Sequence, residues 1–117
     1  MGLLSKLFGK KAGATHNECV LVYLQSAALP DSENEKDLST LFALEDQLIE
    51  AIAVKDAGEF DGNEVGPDGA TLFAYGPDAE RLYAAMEPVL NAQPLCDHAR
   101  VVLRKGPPGA PQRELQL

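Results

Sequence analysis

The amino-acid sequence predicts an α+β domain of the ferredoxin-like, split βαβ type, with two helices on one face of an antiparallel sheet. Segments with strand character and segments with helical periodicity follow one another in the order βαββαβ, and the tail adds a marginal fifth strand. A length of 117 residues with 45% hydrophobic content suits one modest core. We therefore divide the chain into an N-terminal segment (1–11), a linker (12–17) and a single domain (18–117).

The first strand and the first helix have the clearest patterns. Residues 19–24 are almost wholly apolar, which is typical of a strand in mid-sheet. A helix is predicted from Glu35 to Val54, because apolar residues recur there at spacings of three, four and seven. That apolar stripe consists of Leu38, Leu41, Phe42, Leu48, Ile49 and Ile52. Glu45 falls inside it: either Glu45 is a buried carboxylate, or Leu44 shifts the centre of the stripe and leaves Glu45 at the rim.

A hairpin is predicted over residues 59–76, with its turn at Gly66-Pro67-Asp68-Gly69. Its first arm is acidic and broken by a glycine, as edge strands often are. A second helix is expected to begin at residues 76–78 and to be kinked or interrupted by Pro88. The apolar face of that helix consists of Leu82, Tyr83, Met86, Val89 and Leu90.

The last strands complete the predicted order. Residues 99–104 alternate in the manner of a strand, and the tail, 112–117, follows a Pro/Gly-rich connection. For a βαββαβ chain of this type, the four main strands are expected to lie in the spatial order 4-1-3-2.

The net charge of −8 indicates the kind of partner. Surfaces that follow a phosphate backbone are basic, so nucleic acid is not expected to bind. Residues 31–87 hold fifteen acidic and three basic side chains, which favours a cationic partner. Residues 1–11 have the opposite charge from the rest of the chain, since they carry a net charge of +3.

The N-terminal segment is predicted to be a short amphipathic helix. Its apolar side consists of Leu3, Leu4, Leu7 and Phe8, and its basic side of Lys6, Lys10 and Lys11. Such a helix either docks weakly on a partner or an anionic membrane surface, or it is a mobile terminus. The sequence has no membrane span or signal-peptide core, so we expect a cytoplasmic protein, with the inner face of the membrane as an alternative location.

Cysteine and carboxylate patterns suggest metal sites only weakly, and no cofactor is expected. Cys19 and Cys96 are expected to be free thiols, although His16 and His98 beside them are residue types that bind zinc. The hairpin and the start of the second helix carry acidic residues, whose carboxylate oxygens are the ligands that a hard cation prefers. On turns, however, such residues are usually just solvated. They are Asp61, Glu64, Asp68 and Asp78, and we keep Asp61, Glu64 and Asp78 as candidate partner-binding residues.

Arginine and aromatic side chains are expected on the helix-free face of the sheet. Arg100 and Arg104 alternate with Val101 and Leu103, so both arginines project away from the helices if the apolar pair faces them. Tyr23 and Phe73 are expected beside these arginines, and the face so formed suits a ligand or a second copy of the chain.

Residues 58–107 contain the runs Gly-Glu-Phe-Asp-Gly-Asn-Glu, Tyr-Gly-Pro-Asp-Ala-Glu-Arg-Leu, Glu-Pro-Val-Leu and Val-Val-Leu-Arg-Lys-Gly-Pro. In these runs the chain resembles a group of small uncharacterised bacterial proteins. The resemblance covers less than half of the chain. It implies a bacterial cytoplasmic protein and carries no activity, ligand or catalytic residue.

The sequence thus favours a non-enzymatic binding or protein-interaction module that uses an acidic surface for a cationic partner and self-associates as a homodimer. Two alternatives remain open. One is a small enzyme in which Glu45 is a general base in a cleft between sheet and helices. The other is a peripheral membrane protein tethered by residues 1–11.

Overall fold

A computed structural model describes residues 17–25, 31–32, 35–36 and 38–117. They form two helices and a five-stranded antiparallel sheet, which makes the domain α+β as predicted. In chain order the elements are β1 (Glu18–Gln25), β2 (Asp31–Ser32), β3 (Glu35–Lys36), α1 (Ser39–Lys55), β4 (Glu59–Gly66), β5 (Gly69–Gly76), α2 (Ala79–Ala92), a 3-10 turn (Pro94–Cys96), β6 (Arg100–Arg104) and β7 (Gln112–Gln116).

The sheet has the strand order β4-β5-β1-β6-β7. Read from β6 to β4, the four main strands therefore lie in the predicted order 4-1-3-2, and β7 is added beside β6. The apolar strand β1 is central, where both of its edges are paired, and the acidic strand β4 is at one edge. The hairpin turn is also as predicted, since Gly66 pairs with Gly69.

The first helix begins later than predicted. Residues 35–36 pair with residues 31–32 in a small separate ladder, and the helix starts at Ser39 instead of Glu35. Its first helical hydrogen bond runs from the Phe42 amide to the Leu38 carbonyl. Leu38 is also the first apolar residue of the helical pattern, and the sequence before it, residues 33–37, is wholly polar, so it offers no apolar side chain to stabilise an earlier helical turn.

The core lies between the helices and one face of the sheet. Val20, Val22 and Leu24 of β1 alternate towards the helices, and the core residues of α1 pack against them. Those core residues are Leu41, Leu44, Leu48 and Ile52. Because this stripe is centred on Leu44 and Leu48, Phe42 and Ile49 lie outside it, and their prediction as core residues was wrong.

The second helix begins at an N-cap, Asp78, whose carboxylate accepts hydrogen bonds from the amides of Glu80 (2.9 Å) and Arg81 (3.3 Å). Its buried residues include four of the five predicted ones, Leu82, Tyr83, Met86 and Leu90. Pro88 does not end the helix, which continues to Ala92. Pro88 and Ala84, whose carbonyl loses its helical donor, are both exposed, so water can solvate that carbonyl.

Candidate functional site

One flank of α1 lies beside the edge strand β4. Glu45, Asp46 and Ile49 lie three, four and seven residues after Phe42, which places all four together on the side of the helix next to its core stripe. The side-chain amide of Asn63 on β4 donates a hydrogen bond to the Glu45 carboxylate, so this flank faces β4. We call the strip formed by Phe42, Glu45, Asp46, Ile49, Asn63 and Val65 the α1–β4 surface.

The α1–β4 surface is unusually apolar for an exposed region. Phe42 is 51% exposed, Ile49 49% and Val65 40%. Among residues whose burial the structure describes, the remaining large hydrophobic side chain of comparable exposure is Val54, on another side of α1 towards α2. All four therefore belong to α1 or β4. Isolated exposed apolar residues are common, but several on one strip are typical of an interaction site.

The same part of the chain carries uncompensated negative charge. Residues 38–69 hold eight acidic side chains and one basic side chain, Lys55. The acidic side chains are Glu45, Asp46, Glu50, Asp56, Glu59, Asp61, Glu64 and Asp68. Within the described part of the chain, none of them forms an ion pair.

The cations of residues 70–117 lie on or beside α2, β6 and β7, and most have acidic partners there. Arg113 forms a pair with Glu80 at 2.7 Å, and its hydrogen bonds hold the pKa of the Glu80 carboxyl below the ordinary value. Arg100 pairs with Glu114, while the Lys105 amine lies 4.0 Å from the carboxylates of both Glu18 and Glu80. Residues 70–117 hold five acidic and five basic side chains, so the negative charge is concentrated on the α1 and β4 side.

Glu45 lies at the rim of the core and is not a fully buried carboxylate, which is the second of the two positions that the sequence allowed. It is half-buried, its hydrogen-bond partner is Asn63, and it lines neither the cavity at the hairpin end of the sheet nor the cavity between the helices. Burial raises the pKa of the Glu45 carboxyl, the hydrogen bond from Asn63 opposes this, and the charge of Asp46 adds to it.

We expect Glu45→Gln to stabilise the fold at pH 7. A carboxyl whose pKa is higher in the folded than in the unfolded chain destabilises the folded state above both pKa values, and this penalty vanishes below both. Glutamine removes the charge and keeps an oxygen to accept from Asn63. Urea unfolding at pH 7 and pH 3 measures the gain, which should disappear at pH 3.

Asp46→Asn is the matched control, because it removes the same charge from a neighbouring, exposed position. At pH 7 it should stabilise the fold less than Glu45→Gln does. A Glu45→Gln variant that is less stable than the parent at pH 7 would contradict the argument.

The helix-free face of the sheet brings the predicted arginine and aromatic residues together. The Arg100 guanidinium lies 4.3 Å from the centre of the Tyr23 ring, and Arg104 Nε donates to the Gly106 carbonyl at 2.8 Å. Between them is a small apolar cluster of Cys19, Leu21 and Val102, with Tyr23, Phe73 and Tyr75 packed against it. Tyr23 and Arg100 also line an open cavity of about 530 Å³ at the hairpin end of the sheet.

A second cavity, of about 410 Å³, lies between the two helices. Its lining includes Val54, Ala85, Pro88 and Val89 and is mainly apolar. It is separate from the α1–β4 surface, because it opens on the opposite flank of α1.

The structure separates the predicted acidic residues. Asp61 lies at a β-bulge in β4, Glu64 lies on β4 and lines the cavity at the hairpin end, and Asp78 caps α2 at the other end of β5. In the part of the chain that is described, no group of three or more His, Cys, Asp and Glu residues could hold a metal ion.

Both cysteines are buried free thiols. Cys19 pairs with Arg104 at one end of β6, whereas Cys96 precedes the other end of that strand. Burial raises the pKa of Cys96 to about 11, and burial also raises that of Cys19 against the opposing charge of Arg104. His16 and the predicted N-terminal segment, residues 1–11, lie outside the described residues.

The fold and the surfaces define the class as a small α+β domain with two helices over a five-stranded antiparallel sheet. Comparison with known proteins finds no matching family model, curated protein or solved structure. Neither of the two α-helices in the described residues is long and apolar enough to cross a membrane.

Sequence reasoning identified the acidic region but missed the apolar strip within it. Phe42 and Ile49 share helical periodicity with Leu41 and Leu48, which predicts that they belong to the core. Leu44 is the signal that distinguishes the core residues from Phe42 and Ile49. Residues 41, 44, 48 and 52 form a full helical stripe that includes neither Phe42 nor Ile49. A second stripe of residues 42, 45, 46 and 49 then remains on the neighbouring flank.

Proposed function

We propose that the protein is a non-enzymatic interaction module whose α1–β4 surface binds a cationic, amphipathic partner. One observation carries the proposal: three of the four exposed large hydrophobic side chains of the described residues, Phe42, Ile49 and Val65, lie on this surface, and the excess of negative charge belongs to the same part of the chain. The apolar residues would supply most of the binding free energy, and the carboxylates would supply attraction and specificity.

Binding is better supported than catalysis on this surface. The Glu45 carboxylate accepts a hydrogen bond from Asn63 at the surface, and it lines neither the cavity at the hairpin end of the sheet nor the cavity between the helices. A general base must reach the proton that it removes, in a site that excludes water. An open strip of apolar and acidic side chains suits instead one face of a helix or an extended segment.

The proposal is tested with a synthetic amphipathic peptide of leucine and lysine, titrated into the full chain and followed by calorimetry. Raising the salt concentration from about 0.05 M to about 0.5 M shortens the Debye length from about 14 Å to about 4 Å, so the Kd should rise at least about tenfold. Phe42→Ser and Ile49→Ser should each weaken binding by about tenfold. Equal affinity at both salt concentrations would contradict the proposal.

Val54→Ser is the matched control. Val54 is 73% exposed and lies on the same helix, but on the flank towards α2. The substitution should change the Kd by less than about twofold, because peripheral contacts contribute little. If Val54→Ser weakens binding as much as Ile49→Ser does, the peptide binds to apolar surface without regard to the α1–β4 surface.

The four-strand order and the pairing of two helices with one sheet face support the finer proposal that the domain is ferredoxin-like. We also propose that two copies pair through the helix-free face, which carries Tyr23, Phe73, Arg100 and Arg104. Light scattering of the full chain at the same two salt concentrations tests the pairing, and a chain that stays monomeric at every concentration tested would contradict it.

A further inference from the structure

We propose that the chain's own N-terminal segment, residues 1–11, docks on the α1–β4 surface of the same molecule. The inference rests on the proposed function, because it assigns that surface its first cationic, amphipathic occupant. It also implies that an external partner must displace this segment before it binds.

The charge and the polarity of the two parts are complementary. Residues 1–11 carry three lysines and no acidic residue, whereas residues 38–69 carry eight acidic residues and one lysine. The apolar residues of the segment are Leu3, Leu4, Leu7 and Phe8, and those of the α1–β4 surface are Phe42, Ile49 and Val65. Docking would bury apolar side chains of both the segment and the surface. It would also bring the lysines near Glu45 and Asp46, which form no ion pair with any described cation.

The segment is long enough to reach this surface. Cys19 at the start of β1 pairs with Tyr75, which pairs with Glu59 at the start of β4, so the two strand starts lie at the same end of the sheet. Two strand spacings separate them, about 10 Å, and the six linker residues span up to about 20 Å. The C-terminal end of α1 also lies there, because only three residues separate α1 from β4.

The segment is also long enough to cover the strip. An eleven-residue helix is about 16 Å long, and the eight residues from Phe42 to Ile49 span about 10 Å of α1. A short tether gives an effective concentration of about 1 mM or more. Even a contact too weak to persist between separate molecules is therefore populated within one chain.

Carbodiimide cross-linking of the full chain at low salt tests the contact. The reagent joins a lysine amine and a carboxylate that touch, and mass spectrometry of the monomer fraction identifies the linked residues. We expect links from Lys6, Lys10 and Lys11 to Glu45 and Asp46, falling at least about fivefold at about 0.5 M salt. Ile49→Ser should reduce the yield of these links, and Val54→Ser should leave it within about twofold.

A second measurement uses the amide signals of α1 in nuclear magnetic resonance spectra of the full chain. The double variant Leu7→Ser/Phe8→Ser should shift the signals of Phe42 and Ile49 and leave that of Arg100 in place. It should also bind the leucine–lysine peptide more tightly than the parent chain does, because the competing segment no longer occupies the surface.

Three results would overturn the inference. Links from the N-terminal lysines to Asp97 or Glu114 would place the segment on the other side of the sheet. Links found only in a species of twice the mass would show exchange between two copies. No links at all, together with binding of the chain to anionic lipid vesicles, would assign the segment to a membrane surface. In each case, peptide binding that still depends on Ile49 would leave the proposed function in place.

Discussion

Replacing Gly58 by alanine is expected to destabilise the fold by about 3 kcal/mol or more. A Cβ at this position would lie 2.1 Å from the Tyr75 carbonyl oxygen and 2.8 Å from the Gly76 Cα, and both are backbone atoms. Gly58 also has a φ of 147°, which side-chain-bearing residues rarely adopt. Urea unfolding followed by circular dichroism measures the loss.

Two glycines of β4, Gly62 and Gly66, are the controls for Gly58→Ala. Gly62 has a φ of 142°, but a Cβ at this position would have no atom within 4 Å. Gly62→Ala therefore tests the backbone conformation alone and should lower the free energy of unfolding by about 1–2 kcal/mol. Gly66 has neither constraint, and Gly66→Ala should stay within about 0.5 kcal/mol. If Gly58→Ala lowers stability no more than Gly62→Ala does, the close approach of the α1–β4 connection to β5 is not what requires glycine at position 58.

The second large effect is expected for Leu48→Ala. Leu48 is fully buried in the core, so alanine leaves a cavity and should cost about 2–5 kcal/mol. Ile49, the next residue, is 49% exposed, and Ile49→Ala should cost less than about 1 kcal/mol. Urea unfolding measures both losses.

The same pair of neighbours separates folding from binding. Ile49→Ala should weaken binding of the leucine–lysine peptide at nearly unchanged stability, because Ile49 belongs to the α1–β4 surface. Similar losses of stability for both variants would mean that Ile49 is packed, and the α1–β4 surface would then lose its central apolar residue.

Strands and turns were largely predictable, because their signals are local. The unbroken apolar run of β1, the Gly-Pro-Asp-Gly turn and the Asp78 cap each depend on a few neighbouring residues. The strand order followed from the order of elements, since few topologies join short hairpins and crossover helices. The predicted start of α1 was wrong by four residues, because polar residues 35–37 have no periodicity to place them.

The candidate site was predictable only in its charge. The acidic balance of residues 31–87 is a property of composition, so it can be counted from the sequence alone. Whether a given carboxylate is compensated depends on where distant cations lie: Arg113 reaches Glu80 across 33 residues, and no described cation reaches Asp46. The amino-acid composition therefore cannot show which carboxylates are paired with a cation and which are not.

Local patterning along the chain thus specifies the α+β class, the central position of β1 and the acidic edge strand, because each follows from periodicity, turn residues or charge within a short window. Packing specifies which flank of α1 is buried. The choice between Phe42 and Leu44, and between Ile49 and Leu48, depends on how the helix is rotated against the sheet and α2, which no single segment contains. That rotation leaves an apolar strip beside carboxylates with which no described cation forms an ion pair, and this strip is the surface for which binding is proposed.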